Sequence, residues 1–291
     1  MKYGIAYGYW ESEWHCDYPA TARKAASLGF DVLEIGADHL HDMSDEQIAE
    51  LKALGEELGL EYTTNSGPSR DCDLSSADPA VRENGVQFFE KVLENMHKLG
   101  SKALIGALYS FWPSDFSVTN KEAAWDRSIA CLKKVAVTAE KYDIECSLEV
   151  LNRNETYILT TCEEAREYCD RIGSDHIKIL IDTYHANIEE DNMYDAIRLA
   201  GDRLGHVHVG ESNRKLPGMT NSIDWPAFGK ALRDINYDKA VVMEPFLKKG
   251  GSVGYNIRVW RDLSNNATAE DMDRMAAESL AYLKSCCAGV Q

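Results

Sequence analysis

An α/β fold closed as a single (β/α)8 barrel is predicted by three observations on this 291-residue sequence. Eight short apolar runs rich in β-formers recur along the whole chain. Longer segments of helical period separate them. No Gly-x-Gly-x-x-Gly follows any of the eight, so an open doubly wound sheet has no dinucleotide fingerprint to support it. Strand–helix units in series give a parallel sheet, and eight is the number that closes a TIM barrel. With no Pro/Gly-rich linker and no low-complexity segment, residues 1–291 read as one barrel domain.

In chain order the expected strands are YGIAY (3–7), VLEIGA (32–37), LEYTT (60–64) and ALIGALY (103–109), then CSLEVL (146–151), IKILIDT (177–183), GHVHVG (205–210) and AVVMEP (240–245). Each is short, apolar and bounded by polar or glycine-rich residues. Between them lie helical stretches such as PATARKAASLG, SDEQIAELKALGEELG, PAVRENGVQFFEKVLENMHKLG and EAAWDRSIACLKKVAVTAEKY. Start signals stand at Ser44 with Glu46 and Gln47, at Asp78–Pro79 and at Thr161 with Glu164. Gly29, Gly59, Gly100 and Gly173 supply the stops. NSGPS (65–69), after the third strand, reads as a turn.

The composition is that of an ordinary globular protein, but 48 acidic against 31 basic residues leave a formal charge of −17. That excess disfavours the phosphate backbone of nucleic acids and anionic membrane surfaces, so neither is an expected partner. The start MKYGIAYGYWESEW carries no signal-peptide core, and no apolar run approaches a membrane span. Eight cysteines without a CxxC pair fit reduced thiols, and a cytoplasmic location is expected. Cys286–Cys287 reads as incidental, and the sequons at Asn154 and Asn266 carry no weight in that setting.

In such a barrel the chemistry sits at the C-terminal ends of the strands. From the fifth strand onward those ends carry Glu149, Asp182, His208 and Glu244, each inside an otherwise apolar run. Three carboxylates and an imidazole crowded together repel and desolvate one another unless a cation neutralises them. A divalent metal at the ends of strands 5–8 is therefore expected. One imidazole with three carboxylates suits Mn2+, Co2+ or Mg2+ better than structural zinc. His206 shares a face with His208 but lies deeper, where it packs or supports the ligands.

Glu155, His185 and Arg214 follow three of the ligands by six, three and six positions, near enough to reach a substrate held on the metal. Together they can bond a row of hydroxyls and a carbonyl. Arg153, Asn187 and Glu211 read as surface-loop residues. Trp14 and Trp112 stand near the ends of the first and fourth strands, as rim packing or as walls for the non-reacting end of a sugar.

YWESEW, GALYSFWP, LEVLNRNE, IDTYHANIEED, GHVHVGESNRK, VVMEPF and VWRDLS, in that order from about residue 3 to about residue 264, resemble the D-tagatose 3-epimerase family and its D-psicose (D-allulose) 3-epimerases. The resemblance implies a Mn2+ or Co2+ ion on Glu149, Asp182, His208 and Glu244, contacting O2 and O3 of a ketohexose. It implies that Glu155, His185 and Arg214 grip the reactive end, that Glu149 and Glu244 lie on opposite faces of C3, and that the enzyme is a homodimer or homotetramer. One glutamate would remove the C3 proton to give an enediolate and the other would return a proton to the opposite face. Ala6, the polar NSGPS and the loop PGMTNSIDW depart from the family pattern, around the distal end of the sugar and a covering loop. Three rivals share the barrel: an aldose–ketose isomerase, a multi-zinc endonuclease that eight histidines and the acidic charge disfavour, and a sugar-binding barrel without catalysis.

Overall fold

The computed structural model describes residues 1–117 and 119–288. Eight parallel strands pair in sequence order and the last closes on the first. They are β1 (Lys2–Ala6), β2 (Val32–Gly36), β3 (Glu61–Ser66), β4 (Ala103–Gly106), β5 (Glu145–Val150), β6 (Ile177–Asp182), β7 (Leu204–Val209) and β8 (Ala240–Met243). Helices lie between consecutive strands and cover the barrel's outside, so the strands are buried on both faces and read as near-continuous apolar runs.

Most expected strands sit within two residues of the observed ones, but the fourth is shorter. β4 ends at Gly106, whose φ of 115° turns the chain out of the sheet before Ala107–Tyr109. A Cβ there would lie 2.3 Å from the Ser66 carbonyl oxygen, so only glycine fits. The third strand is longer than expected: Asn65 and Ser66 belong to β3, not to a turn. Glu244 lies one residue past β8, yet its amide still donates to the Val209 carbonyl at 3.1 Å and prolongs the ladder.

The helix signals act as read. Ser44 and Gln47 form a complete capping box, Asp78 and Thr161 cap their helices, and Gly59, Gly100 and Gly173 end theirs in the left-handed region. Leu28 caps the first long helix and Gly29 follows at φ 86°. Among the described residues no helix is long and apolar enough to cross a membrane.

Candidate functional site

Four side chains converge at the C-terminal mouth. Glu149 comes from β5, Asp182 ends β6, His208 lies on β7 and Glu244 follows β8. One ligand atom of each lies within 4.8 Å of the others. The strand ends are tied together: Asp182 is in register with His208, and the Thr183 hydroxyl exchanges hydrogen bonds with both the amide and carbonyl of Gly210 at 2.9 and 2.7 Å. The buried Tyr109 hydroxyl donates to the Glu149 carbonyl at 2.9 Å.

The donors fit a divalent cation. His208 Nδ1 lies 3.5 Å from Glu149 Oε1 and 3.6 Å from Glu244 Oε2, beyond a normal hydrogen bond. This buried nitrogen has no hydrogen-bond partner among the described residues. Burial raises the carboxyls of Glu149 and Glu244, the latter to about 8, against the lowering pull of His208 and Arg214. His208, in spite of its burial, is held well above the usual imidazole range by Glu34 and Glu244. A cation among these groups removes the conflict.

Arg214 closes one side of the cluster. Its Nη1 donates to Asp182 Oδ2 at 2.8 Å and to Glu244 Oε2 at 3.1 Å, and its Nη2 lies 3.1 Å from His185 Nε2. The guanidinium stacks over Tyr184 at 4.0 Å. His185 is pushed down to about 3 by burial and by Arg214, so its ring is neutral. Asn152 donates its backbone amide to His185 Nδ1 at 3.1 Å and its side-chain amide to Glu155 Oε1 at 3.1 Å.

Glu149, Glu155, His185, Arg214 and Glu244 line a cavity of about 260 Å³, together with Trp14, Trp112, Ala6, Asn65 and Ser66. Trp14 packs edge-on against Trp112 and Phe246, with centroids 6.3 and 5.9 Å apart. Trp112 is more than a wall, because its indole N–H donates to Glu155 Oε2 at 2.9 Å. The two ends expected of the pocket therefore share a hydrogen bond.

Sequence reasoning missed three residues. Glu34, on β2, is fully buried, with Oε1 3.0 Å from His208 Nε2 and Oε2 3.2 Å from His206 Nε2. Asn65 donates its side-chain amide to Glu34 Oε1 at 3.2 Å and Glu244 Oε1 at 3.3 Å. A lone acid inside the apolar run VLEIGA is the same signal that marks Glu149. Glu211, expected at the surface, is instead buried. It accepts from the amides of Gly218, Asn221 and Ser222, the Ser222 hydroxyl and the Trp225 indole. Those bonds gather the loop 217–225 around Glu211, and none of its residues lines the cavity. Arg153 is exposed and pairs with Glu189, as a surface residue does.

Comparison with known proteins agrees with this geometry. Residues 22–286 match the family model of the xylose isomerase-like TIM barrel. The D-psicose 3-epimerase of Ruminiclostridium cellulolyticum is 46% identical over 97% of this chain and 96% of its own. That of Agrobacterium fabrum is 44% identical over 97% and 98%. A crystal structure of the D-psicose 3-epimerase from Clostridium cellulolyticum with D-tagatose superposes with a TM-score of 0.97, at 45% identity and 99% coverage of both chains. A barrel of this topology, an acidic cluster at a small cavity and likeness of this degree over nearly the whole chain lead to one conclusion: the chain belongs to the D-psicose 3-epimerase family of xylose isomerase-like TIM barrels and is a carbohydrate isomerase of the ketose 3-epimerase type.

Proposed function

We propose that the chain interconverts ketohexoses at C3, such as D-fructose with D-psicose (D-allulose) or D-tagatose with D-sorbose. Mn2+ or Co2+, with Mg2+ as a third candidate, would be held by Glu149, Asp182, His208 and Glu244. The observation that carries this reading is the convergence of those four side chains within 4.8 Å under a cavity of about 260 Å³. That volume lies near the small end of ligand pockets and suits one monosaccharide.

When bound, a divalent cation supplies Lewis-acid stabilisation of the negative charge that deprotonation beside a carbonyl creates. Glu149 and Glu244 enter from strands three places apart in the ring, so a C3 seated between them meets one carboxylate on each side. One takes the C3 proton, leaving an enediolate, and the other returns a proton to the opposite face. Burial raises both carboxyls, so a proton is held readily at this pair, which suits an exchange of acid and base roles. Arg214, His185 and Glu155 orient the reactive end, while Trp14 and Trp112 wall the other. The eight cysteines are all free, which supports a cytoplasmic enzyme. A homodimer or homotetramer is proposed with it, and light scattering on the purified protein checks the size.

The direct test is the reaction in D2O. D-Fructose or D-psicose is expected to give its C3 epimer with deuterium at C3, none at C1 and no aldose. Label confined to C1 or C2, or an aldose as main product, would replace this reading with the aldose–ketose isomerase.

A further inference from the structure

Around the four candidate ligands lies a second tier of polar side chains, of which Glu34 and Asn65 also line the cavity, that the proposed reaction does not use. Glu34 stands on β2, across the barrel from β7, and each of its oxygens faces one histidine ring: Oε1 is 3.0 Å from His208 Nε2 and Oε2 is 3.2 Å from His206 Nε2. Both rings are at most 1% exposed. With Nε2 turned to Glu34, His208 is left with Nδ1 facing Glu149 and Glu244. Asn65 adds a link between the tiers. Its side-chain amide reaches Glu34 Oε1 at 3.2 Å and Glu244 Oε1 at 3.3 Å, and since both neighbours are carboxylates it presents N–H to each. Gly106 backs the other end of that amide, because a Cβ there would lie 2.6 Å from Asn65 Oδ1.

We propose that Glu34 and Asn65 are positioning residues for the ion: Glu34 fixes the ring of His208 so that Nδ1 faces the cation, and Asn65 ties the carboxylate of Glu244 to that same Glu34. This rests on the ligand assignment proposed above. A carboxylate behind a metal-bound imidazole sets the ring's tautomer and direction and strengthens it as a donor. Asn65 extends that control to a second ligand, so the two ligands nearest it move as one unit.

Full-length protein stripped with a chelator and titrated with Mn2+, followed by the electron paramagnetic resonance of the free ion, is expected to bind one ion per chain. Glu34→Gln is expected to weaken that binding about 10- to 100-fold with the circular dichroism unchanged. Asn65→Leu keeps the bulk and removes the donor, and is expected to weaken binding about tenfold. Loaded with Co2+, both variants are expected to show shifted visible d–d bands, which altered packing away from the ion leaves in place. Parent-like Mn2+ affinity and an unshifted Co2+ spectrum in both variants overturn the proposal while the ion site stands. Two Mn2+ per parent chain, one of them lost in Glu34→Gln, would make Glu34, His206 and His208 an ion site of their own and overturn it too. A parent chain that binds no Mn2+ overturns the ligand assignment along with it. Should Glu34→Gln fail to fold, Asn65→Leu, at the cavity wall, decides alone.

Discussion

At the residue scale, Arg214 adopts φ 63°, a left-handed conformation uncommon for a side chain of this size. The amide of Phe246 holds its carbonyl at 2.9 Å, and its Nη1 is paired with both Asp182 and Glu244, so the surroundings impose the strain. Glu149→Gln and Glu244→Gln are each expected to lower turnover at least about 10²-fold, with bound metal measured in the same sample. Near-normal turnover in either would remove that residue from the acid/base pair. Trp112→Phe keeps an apolar wall but frees Glu155 of its indole bond. It is expected to slow every ketose in a panel, whereas a shift in ranking alone would mean that Trp112 acts only as a wall. The candidate ligands were legible because acids are costly inside apolar strands. Asn65 was not, because a polar residue beside Gly and Pro gives the same signal as a turn, and only the sheet register shows that β3 runs through it.

Elements position these groups through their ends. Asp182 is both the last residue of β6 and the N-cap of the helix Thr183–Glu189, where its side chain accepts from the Tyr184 amide at 2.8 Å. Asn also caps helices well, so Asp182→Asn is expected to keep the cap and lose the charge. Asp182→Ala loses both and is expected to be about 1 kcal/mol less stable than Asp182→Asn in denaturant unfolding, with metal affinity weakened in the two alike. Equal stability would remove the capping role. Strand existence and order were legible from alternating apolar and helical periods. The short helix after β6 was not, because IDTYHANIEED continues a strand signal into it without glycine or proline. The over-long fourth strand has the opposite cause: ALIGALY stays apolar past Gly106, and the turn there is made by backbone conformation, not by polarity.

Across the whole molecule, the acidic cluster is expected to make stability depend on metal and pH together. Chelation is expected to abolish activity, and Mn2+ or Co2+ to restore it better than Zn2+. In the metal-free protein the carboxyl of Glu244 is raised to about 8, so the folded state binds a proton that the unfolded state has released. Stability from this group is present at low pH and is lost as pH rises from the ordinary carboxyl range towards 8. A cation must displace that proton and the one on His208, so it binds better as pH rises. The rise in Tm on adding Mn2+ is therefore expected to be larger at pH 8 than at pH 6 in differential scanning calorimetry. An increment independent of pH would show that these protons are not linked to the ion.

The ring divides its labour by halves. β5–β8 carry the four converging side chains and lead into Glu155, His185 and Arg214, while β1–β4 and their loops bring Ala6, Trp14, Ser66 and Trp112 to the cavity. Inheritance can act on the halves separately: substitutions in the first half can retune which sugar is accepted while the reaction in the second half stays as it was. Glu34, Asn65 and Trp112 are exceptions, since each lines the cavity and they neighbour His208, Glu244 and Glu155 in turn. Exchange of Asn65 is therefore expected to change rate and preference in a single step, which would make that position a narrow gate between one sugar specialisation and the next.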